Sequence, residues 1–418
     1  MDSPTILVIG TYDTKADELD FMTASIEGAG GKALTMDVGV LGESPSKVHI
    51  GRSEVALAGG GSIEEAASCG DENTAMQVMA SGASRLASKL ASKGAISGAI
   101  VLGGTMGTDL ALDVCQALPV GFPKHIVSTV AFSPLIPAAR VSADVQMTLW
   151  AGGLYGLNSI SRTSLAQASG AVVGAARALA GREAPRPVIG MTSFGSSVLT
   201  YMIHLKPEIE RRGFELAVFH ATGMGGRAFD ALAASGHFAC VMDFAPQEIT
   251  NLVFGSALSA GRNRMLGAGT SATPQIVAPG CIDLIDYPSW QEIPDRFKGR
   301  EFHDHNRLIR STGLTPDERR QVVQAICARL GESRGPVEVL LPIKGLHGWD
   351  RRGLPFHDPA GLQATISEFH KRAARPVAIS EVDAHINDSE FSEQALAILD
   401  RWRNDGTVSS GPAGASGD

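Results

Sequence analysis

Charge is scarce in this sequence. Only 19% of its 418 residues are charged, against roughly 25% in an average soluble chain, and the formal net charge is −8. No run of Lys and Arg occurs; Arg319-Arg320 and Arg351-Arg352 are isolated pairs. The basic stripe of a nucleic-acid binder is therefore missing, and no nucleic-acid partner is expected. Cysteine is also sparse: five residues (Cys69, Cys115, Cys240, Cys281, Cys327), widely spaced and without a CxxC. A disulfide framework or a cysteine-based zinc site does not fit that usage, which suits a reducing compartment. No apolar run is long enough to span a bilayer. The opening MDSPTILVIG enters a strand without the basic region and cleavage site of a leader. A cytoplasmic protein with no membrane partner is expected. Several named motifs are missing too: GxSxG, GxGxxG and GxxxxGK[ST] do not occur.

Glycine, in contrast, is plentiful at 48 residues, and 44% of the chain is apolar. That combination predicts an α/β protein with glycine-rich turns between strands and helices. PTILVIG (4–10) reads as a strand buried on both faces, and 16–28 as a helix with acids in front and glycine behind. KALTMDVG is a second strand. The polar, glycine-rich stretch from there to about residue 72 is long for a connection, so it is a functional loop or a small excursion. Helices at 74–92, 107–117 and 158–181 alternate with strands at 97–102 and 124–129. GREAPRP (181–187) is aperiodic and charged with two prolines, and the domain boundary is placed there. Strands and helices then alternate again, through VEVLLPI (337–343) to a helix ending near Asn404. The expectation is two Rossmann-like, doubly wound parallel-sheet domains, 1–183 and 184–404, with a cleft between them and a disordered tail over 405–418.

Four stretches repeat one layout of strand, glycine- and threonine-rich turn, and helix: GTYDTKADE (10–18), GGTMGTD (103–109), SFGSS (193–197) and HATGMGGRA (220–228). Such turns sit where open parallel sheets bind ligands, and a helix N-terminus there favours an anion. Each alone is as readily a tight turn; four together point to anion binding. The first two offer Gly10, Thr11, Asp13, Thr14, Lys15, Gly103, Gly104, Thr105, Gly107 and Thr108 as cofactor-binding residues, with Asp37 for a ribose. The other two offer Phe194, Gly195, Thr222, Gly223, Gly225 and Gly226 for a substrate. FHDHN (302–306) spaces His303 and His305 so that a strand would show both on one face. A metal would need a third ligand from Asp243, Asp283 or His385; imidazoles holding a phosphate or carboxylate are an equal alternative, two ordinary hydrogen-bonded histidines are favoured over a metal, and no metal site is assigned. His220, after a buried strand, is a candidate acid or base, and His303, His305, His220 and Asp283 form the candidate catalytic set. Cys281, Met147, Met191 and Met265 read as core.

With GTYDTKADEL, MDVGV, VLGGTMGTDLA, HIVSTVA, GLNSISR, MTSFG, VFHATGMGGRA, PGCIDLIDY, FHDHN and LLPIKGLHGWD in that order, residues 1–400 resemble the Tm-1-like ATP-binding family, UPF0261. The resemblance implies two α/β subdomains, a homodimer and binding of ATP or a related nucleotide, with Mg2+. It adds Ser128 and Thr129 to the cofactor residues, and Asn306 and Lys344 to the substrate residues. A plant member carries a further barrel-like domain, so a separate barrel-domain protein is an implied partner. FSPLIPAARVSAD (132–144) departs from the family's small polar loop there, keeping only Asp144; a ligand touching it would differ from ATP or bind less tightly. A metabolic enzyme acting on a phosphorylated or carboxylated small molecule is the leading expectation. The alternatives are a metal-dependent oxo-acid lyase or hydrolase built on the HxH pair, and a noncatalytic, nucleotide-dependent protein-binding module.

Overall fold

A computed structural model describes residues 3–179, 186–195 and 200–409. The boundary read at 181–187 falls mostly outside the described residues, as do the last two residues of SFGSS and the tail from residue 410. The chain divides into two compact units, 1–183 and 184–418, each a parallel sheet between helices.

In the first unit the order is β1 (Thr5–Gly10), α1 (Tyr12–Gly28), β2 (Lys32–Asp37), α2 (Arg52–Gly59), α3 (Ile63–Ser68), α4 (Glu72–Ser92), β3 (Gly98–Gly103), α5 (Thr105–Ala117), β4 (Lys124–Ser128), β5 (Gln146–Leu149) and α6 (Ser159–Leu179). The five strands are parallel in the order β2-β1-β3-β4-β5. Alternate residues of β1 face opposite layers: Leu7 and Ile9 pack under α2, α4 and α5, whereas Ile6 and Val8 pack under α1 and α6. That two-sided burial is why the strands read as unbroken apolar runs. Helix α1 begins earlier than the periodicity indicates, but Lys15 breaks it with φ −134° and ψ 24°, so the continuous helix starts at Ala16.

The polar stretch before residue 72 resolves into the excursion, α2 and α3. Ser62 and Glu65 close a capping box on α3, which supplies both partners with a terminal bond. Glycine here serves helix contact. A Cβ on Gly82 of α4 would stand 1.9 Å from the Val55 carbonyl oxygen, and one on Gly59 2.2 Å from that of Val78. The short edge strand β5 was not legible, because its four residues are exposed or half-buried and show no apolar run.

The second unit runs β6 (Val188–Ser193), α7 (Thr200–Arg211), β7 (Glu215–His220), α8 (Met224–Ala234), β8 (Phe238–Asp243), α9 (Gln247–Phe254), α10 (Gly267–Thr270), β9 (Gln275–Val277), β10 (Leu284–Pro288), β11 (His303–Asp304), β12 (Ile309–Gly313), α11 (Pro316–Gly331), β13 (Val337–Pro342), α12 (Pro359–Arg372), β14 (Val377–Val382) and α13 (Ser389–Asn404). Six strands form a parallel sheet, β7-β6-β8-β9-β13-β14, and β10, β12 and β11 a small antiparallel one. Both large sheets start in the middle, step one strand outward, and then cross back past the first strand. The expected tail is ordered at its start: Val408 is buried and its amide donates to the Trp402 carbonyl. Its one apolar side chain outweighs the polar composition around it. Among the described residues no helix is long and apolar enough to cross a membrane.

Candidate functional site

The crossing-back in the first unit leaves β1 and β3 as neighbours whose following helices leave on opposite faces of the sheet. Ligands of open α/β sheets bind at such a switch point, beyond the carboxyl ends of the strands. A cavity of about 610 Å³ lies there. Its polar lining includes Thr11, Asp13, Thr14, Lys15 and the Gly103–Gly107 turn on one side and the carboxylates of Asp71 and Glu72 elsewhere; Val40, Leu41, Ala66, Ala75 and Met76 supply an apolar side.

The glycines of GGTMGT do different things. A Cβ on Gly103 would fall 2.3 Å from the Gly107 carbonyl carbon, so these two let α5 lie against β3. Gly10 likewise yields space to Leu19, whose methyl carbons would stand 2.7 Å from its Cβ. Gly104 is open: its nearest neighbour would be the Thr129 hydroxyl at 4.0 Å. It is also the N-cap of α5, with no side-chain cap and no acid in the first turn. Thr11, the N-cap of α1, makes no side-chain cap either. By contrast Ser62, Asp71, Thr315 and Asp358 cap α3, α4, α11 and α12. Of the two helices that open on the cavity, α5 thus keeps its terminal N–H groups available, whereas in α1 the Tyr12 amide goes to Asp37 and the Thr14 and Lys15 amides to the Thr11 carbonyl.

Several sequence-predicted residues brace the cavity instead of lining it. Asp37 is buried, and its Oδ1 accepts from the amides of Tyr12 (3.1 Å) and Gly39 (2.8 Å); burial raises its pKa. It holds the β1 and β2 ends together and does not line the cavity. Thr108 and Ser128 are buried and hydrogen-bonded to each other at 2.7 Å, and the Thr129 amide donates to the Gly103 carbonyl. Asp13 does line the cavity. Its Oδ2 accepts from the Leu41 and Gly42 amides (2.9 and 3.1 Å), fixing the apolar wall, and its buried Oδ1 has no hydrogen-bond partner. Lys15 reaches over the Tyr155 ring, 5.4 Å from its centroid. The divergent 132–144 stretch does not line this cavity. Leu135, Ile136, Pro137 and Arg140 form one wall of an adjoining space of about 370 Å³, which shares Met76, Thr105 and Met106 with it. Asp144 pairs with the buried Lys124 at 2.9 Å.

In the second unit the glycine loop has a different job from the one its sequence suggests. The amides of Gly223 and Gly226 donate to Glu248 Oε1 (2.5 and 3.1 Å). A Cβ on Gly226 would overlap Glu248 at 1.7 Å, and one on Gly225 the His220 carbonyl oxygen at 1.8 Å. The anion cradle at the start of α8 is filled by the protein's own carboxylate, so these glycines are not free for a substrate. Glu248 in turn accepts from Arg264 Nε (2.7 Å), and Arg264 grips Asp243 with two bonds (2.6 and 2.8 Å), all of them buried.

One cation thus faces Asp243, Glu248 and, at 3.5 Å, Asp230. Burial raises the Asp230 carboxyl to about 7, with Arg264 opposing and its acidic neighbours adding. A carboxyl raised above its unfolded value near 3.9 contributes stability below that value and loses it as pH rises through the folded pKa. Stability should therefore fall between about pH 4 and 7. Asp286, pushed by burial to about 6, acts in the same sense lower in that window. The expected result is that Asp230→Asn flattens the upper part of the decline. Melting temperatures of both proteins at pH 5.5, 6.5 and 7.5 test it, and parallel curves would refute it.

The structure gathers His220, Thr222, Phe194, Gly195, His305 and Asn306 around a separate cavity of about 90 Å³, completed by Ile309, Ser311 and Trp349. His303 and His305 both approach the Trp349 ring, with centroids at 5.1 and 6.0 Å, but only His305 lines the cavity. The three proposed third ligands go elsewhere: Asp243 to Arg264, His385 to Asp350 (2.8 Å) and Asp283 to His347 (3.2 Å). Among the described residues, the group with ligand atoms within 4.8 Å of one another is Asp283, His347 and Asp350, and it contains neither residue of the HxH pair. Arg319, 3.5 Å from Asp283, already supplies a positive charge there. Burial opposes ionisation of Asp283, but His347 and Arg319 more than offset it and hold the carboxyl at about 2. Asp283 is thus an ion-paired support. Lys344 pairs with Asp383 at 3.1 Å, outside the cavity.

Sequence reasoning missed His347, Trp349 and Arg264. The first two lie in LLPIKGLHGWD, where the block itself was noticed but not its chemistry. Arg264, within RNRM, has no pattern that marks it as buried.

Among solved structures, a Streptomyces glycosyltransferase, SsfS6, overlaps 66% of this chain and 82% of its own at 13% identity, with a TM-score of only 0.17. A UPF0261 protein of Brucella melitensis is 48% identical over 98% of both chains, and one of Clostridium tetani 34% identical over 93% of this chain and 96% of its own. The tomato ToMV resistance protein Tm-1 is 27% identical over 96% of this chain, which spans 56% of that protein. Residues 4–180 match the model of the UPF0261 N-terminal domain and residues 186–403 that of its C-terminal domain, both described as an uncharacterised protein family. The chain belongs to the UPF0261 family.

Proposed function

We propose that this protein is a nucleotide-binding metabolic enzyme whose first unit takes ATP or a related nucleoside phosphate, with Mg2+, in the cavity between β1 and β3. The observation that carries this reading is the convergence of two uncapped helix N-termini, those of α1 and α5, on one cavity at the switch point. Helix α5 presents free N–H groups and a partial positive charge, the natural complement of a polyphosphate; α1 adds the positive end of its dipole, its Tyr12 amide going to Asp37 and its Thr14 and Lys15 amides to the Thr11 carbonyl. Lys15 and the Thr11 and Thr14 hydroxyls add donors on the same side. Opposite them, Leu41, Ala66 and Met76 offer the apolar contact a base requires. The volume falls within the few hundred to about 1,000 Å³ usual for small-molecule sites. For Mg2+, the fitting group is Asp13, a carboxylate on the cavity wall with one oxygen lacking a hydrogen-bond partner. When bound, the ion would neutralise phosphate charge. A homodimer belongs to the same proposal.

Thermal unfolding with ATP, ADP and GTP, with and without Mg2+, tests it. A ligand present at about a hundred times its dissociation constant stabilises the folded chain by about 2.7 kcal/mol, a readily measured rise in melting temperature. Lys15→Ala should weaken binding roughly ten-fold by removing one charge-assisted contact. No response to any nucleotide at millimolar concentration overturns the proposal.

A further inference from the structure

The second unit raises a separate question, because the glycine-rich start of α8 is closed by Glu248. Anion chemistry there has to use side chains. The 90 Å³ cavity beyond β6 and β7 has a lining of a particular kind: two imidazoles (His220, His305), two hydroxyls (Thr222, Ser311) and an amide (Asn306). Among the described residues lining it there is no carboxylate, although the chain carries 44 Asp and Glu and a net charge of −8. Ser311 already donates its hydroxyl hydrogen to Asp286, which leaves the imidazoles, the Thr222 hydroxyl and the Asn306 amide as donors; a space bordered by these and by no acid favours a negative occupant.

The lining is also held in place. Gly195 donates its amide to His220 Nδ1 at 3.4 Å, which leaves Nε2 as the N–H of the neutral ring. The Phe194 ring lies nearly parallel to that imidazole, with centroids 6.0 Å apart. Ser311 is 1% exposed and its hydroxyl bonds to the buried Asp286. The Trp349 wall is anchored from behind: its amide donates to His347 Nδ1 at 3.2 Å, and His347 Nε2 faces Asp283 at 3.2 Å. Asp283 and His347 are therefore positioning residues. The volume is about that of three waters at roughly 30 Å³ each, which suits a single phosphoryl or carboxylate group and is far too small for a nucleotide.

We propose that this cavity is a second, independent ligand site that binds one compact oxyanion group, a phosphate or a carboxylate, between His220 and His305. Its ligand is a small substrate or the anionic end of one. It stands or falls apart from the nucleotide site, since the residues and the readout are different.

The test uses the full chain labelled with 13C-histidine, followed by NMR during titration with inorganic phosphate in one arm and pyruvate in the other. His220→Asn and His305→Asn assign the two signals. Saturable shifts of the His220 and His305 ring signals are the expected result. His49, in the first unit, should not move. A response to phosphate alone makes the group a phosphoryl, and one to pyruvate alone makes it a carboxylate; either supports the site. His220→Asn should weaken the anion at least five-fold, whereas His303→Asn, whose ring lies outside the cavity, should not. If the His220 variant does not fold, Thr222→Val serves in its place with a smaller loss. No shift up to about 50 mM of either anion, far weaker than a millimolar site, overturns the proposal. So would equal movement of His49, or stoichiometric zinc held by the same two imidazoles.

Discussion

Arg264→Met should unfold the second unit. The guanidinium is fully buried and is the shared partner of Asp243, Glu248 and Asp230. Methionine fills much of the same volume but leaves those acids without a cation. Removing one partner of a buried ion pair costs about 3–5 kcal/mol, because the remaining charge cannot be solvated. Here Glu248 also ties down the start of α8 through Gly223 and Gly226, so the damage spreads to the turn after β7. Against a total stability of roughly 5–15 kcal/mol, the loss is close to the whole margin. Urea denaturation followed by tryptophan fluorescence reads it directly, since Trp290, Trp349 and Trp402 all lie in this unit. Arg264→Lys should fall between, as an ammonium cannot bridge Asp243 with two bonds and reach Glu248 as well. Adding Asp243→Asn and Glu248→Gln to the methionine variant should recover part of the loss by removing the stranded charges. A cost under about 1 kcal/mol for Arg264→Met, within the range of an exposed pair, would mean that water reaches the cluster.

Much of the architecture was legible because apolar run length and glycine punctuation are set by the two-sided burial of parallel strands. PTILVIG, SGAIVL and VEVLLPI read as strands for the same reason that Ile6 and Leu7 face opposite cores. What stayed hidden was the purpose of individual glycines. Gly59 looks like a loop residue and Gly82 like an ordinary helix position, yet together they let two helices touch, and Gly226 looks like a ligand cradle yet makes room for Glu248. No local pattern separates those uses, because the deciding atom belongs to a residue 19 to 27 positions away on another helix. Buried charge was hidden for a related reason. Arg264 and Lys124 carry no local mark of burial, and Asp283, expected as a catalytic or metal-ligating residue, is an ion-paired support once its partners are placed beside it. The candidate sites were legible as loops, and the histidines as a group, but not which members of each loop point into a cavity.

The sharpest use of that distinction lies within GGTMGT, where neighbouring glycines should fail in opposite ways. Gly104→Val should leave the fold intact and abolish nucleotide binding. Its backbone has φ −71°, ordinary for any residue, and a Cβ would meet nothing closer than 4.0 Å. The added methyls instead occupy the mouth of α5, where phosphate oxygens would approach the free N–H groups. A loss of at least a hundred-fold in affinity is expected, equivalent to about 2.7 kcal/mol, measured by calorimetric titration with ATP. Gly103→Ala, one residue earlier, should instead lower the melting temperature, because its Cβ would fall 2.3 Å from the Gly107 backbone and push α5 off β3. Overpacking of that kind typically costs 1–3 kcal/mol. The pair separates a ligand cradle from a packing turn within one loop. If Gly104→Val binds ATP as the parent does, the turn serves the sheet alone and the nucleotide proposal loses its main support. If both variants simply unfold, Gly104 is a packing residue as well, and the open space beside it is too narrow for a phosphate to use.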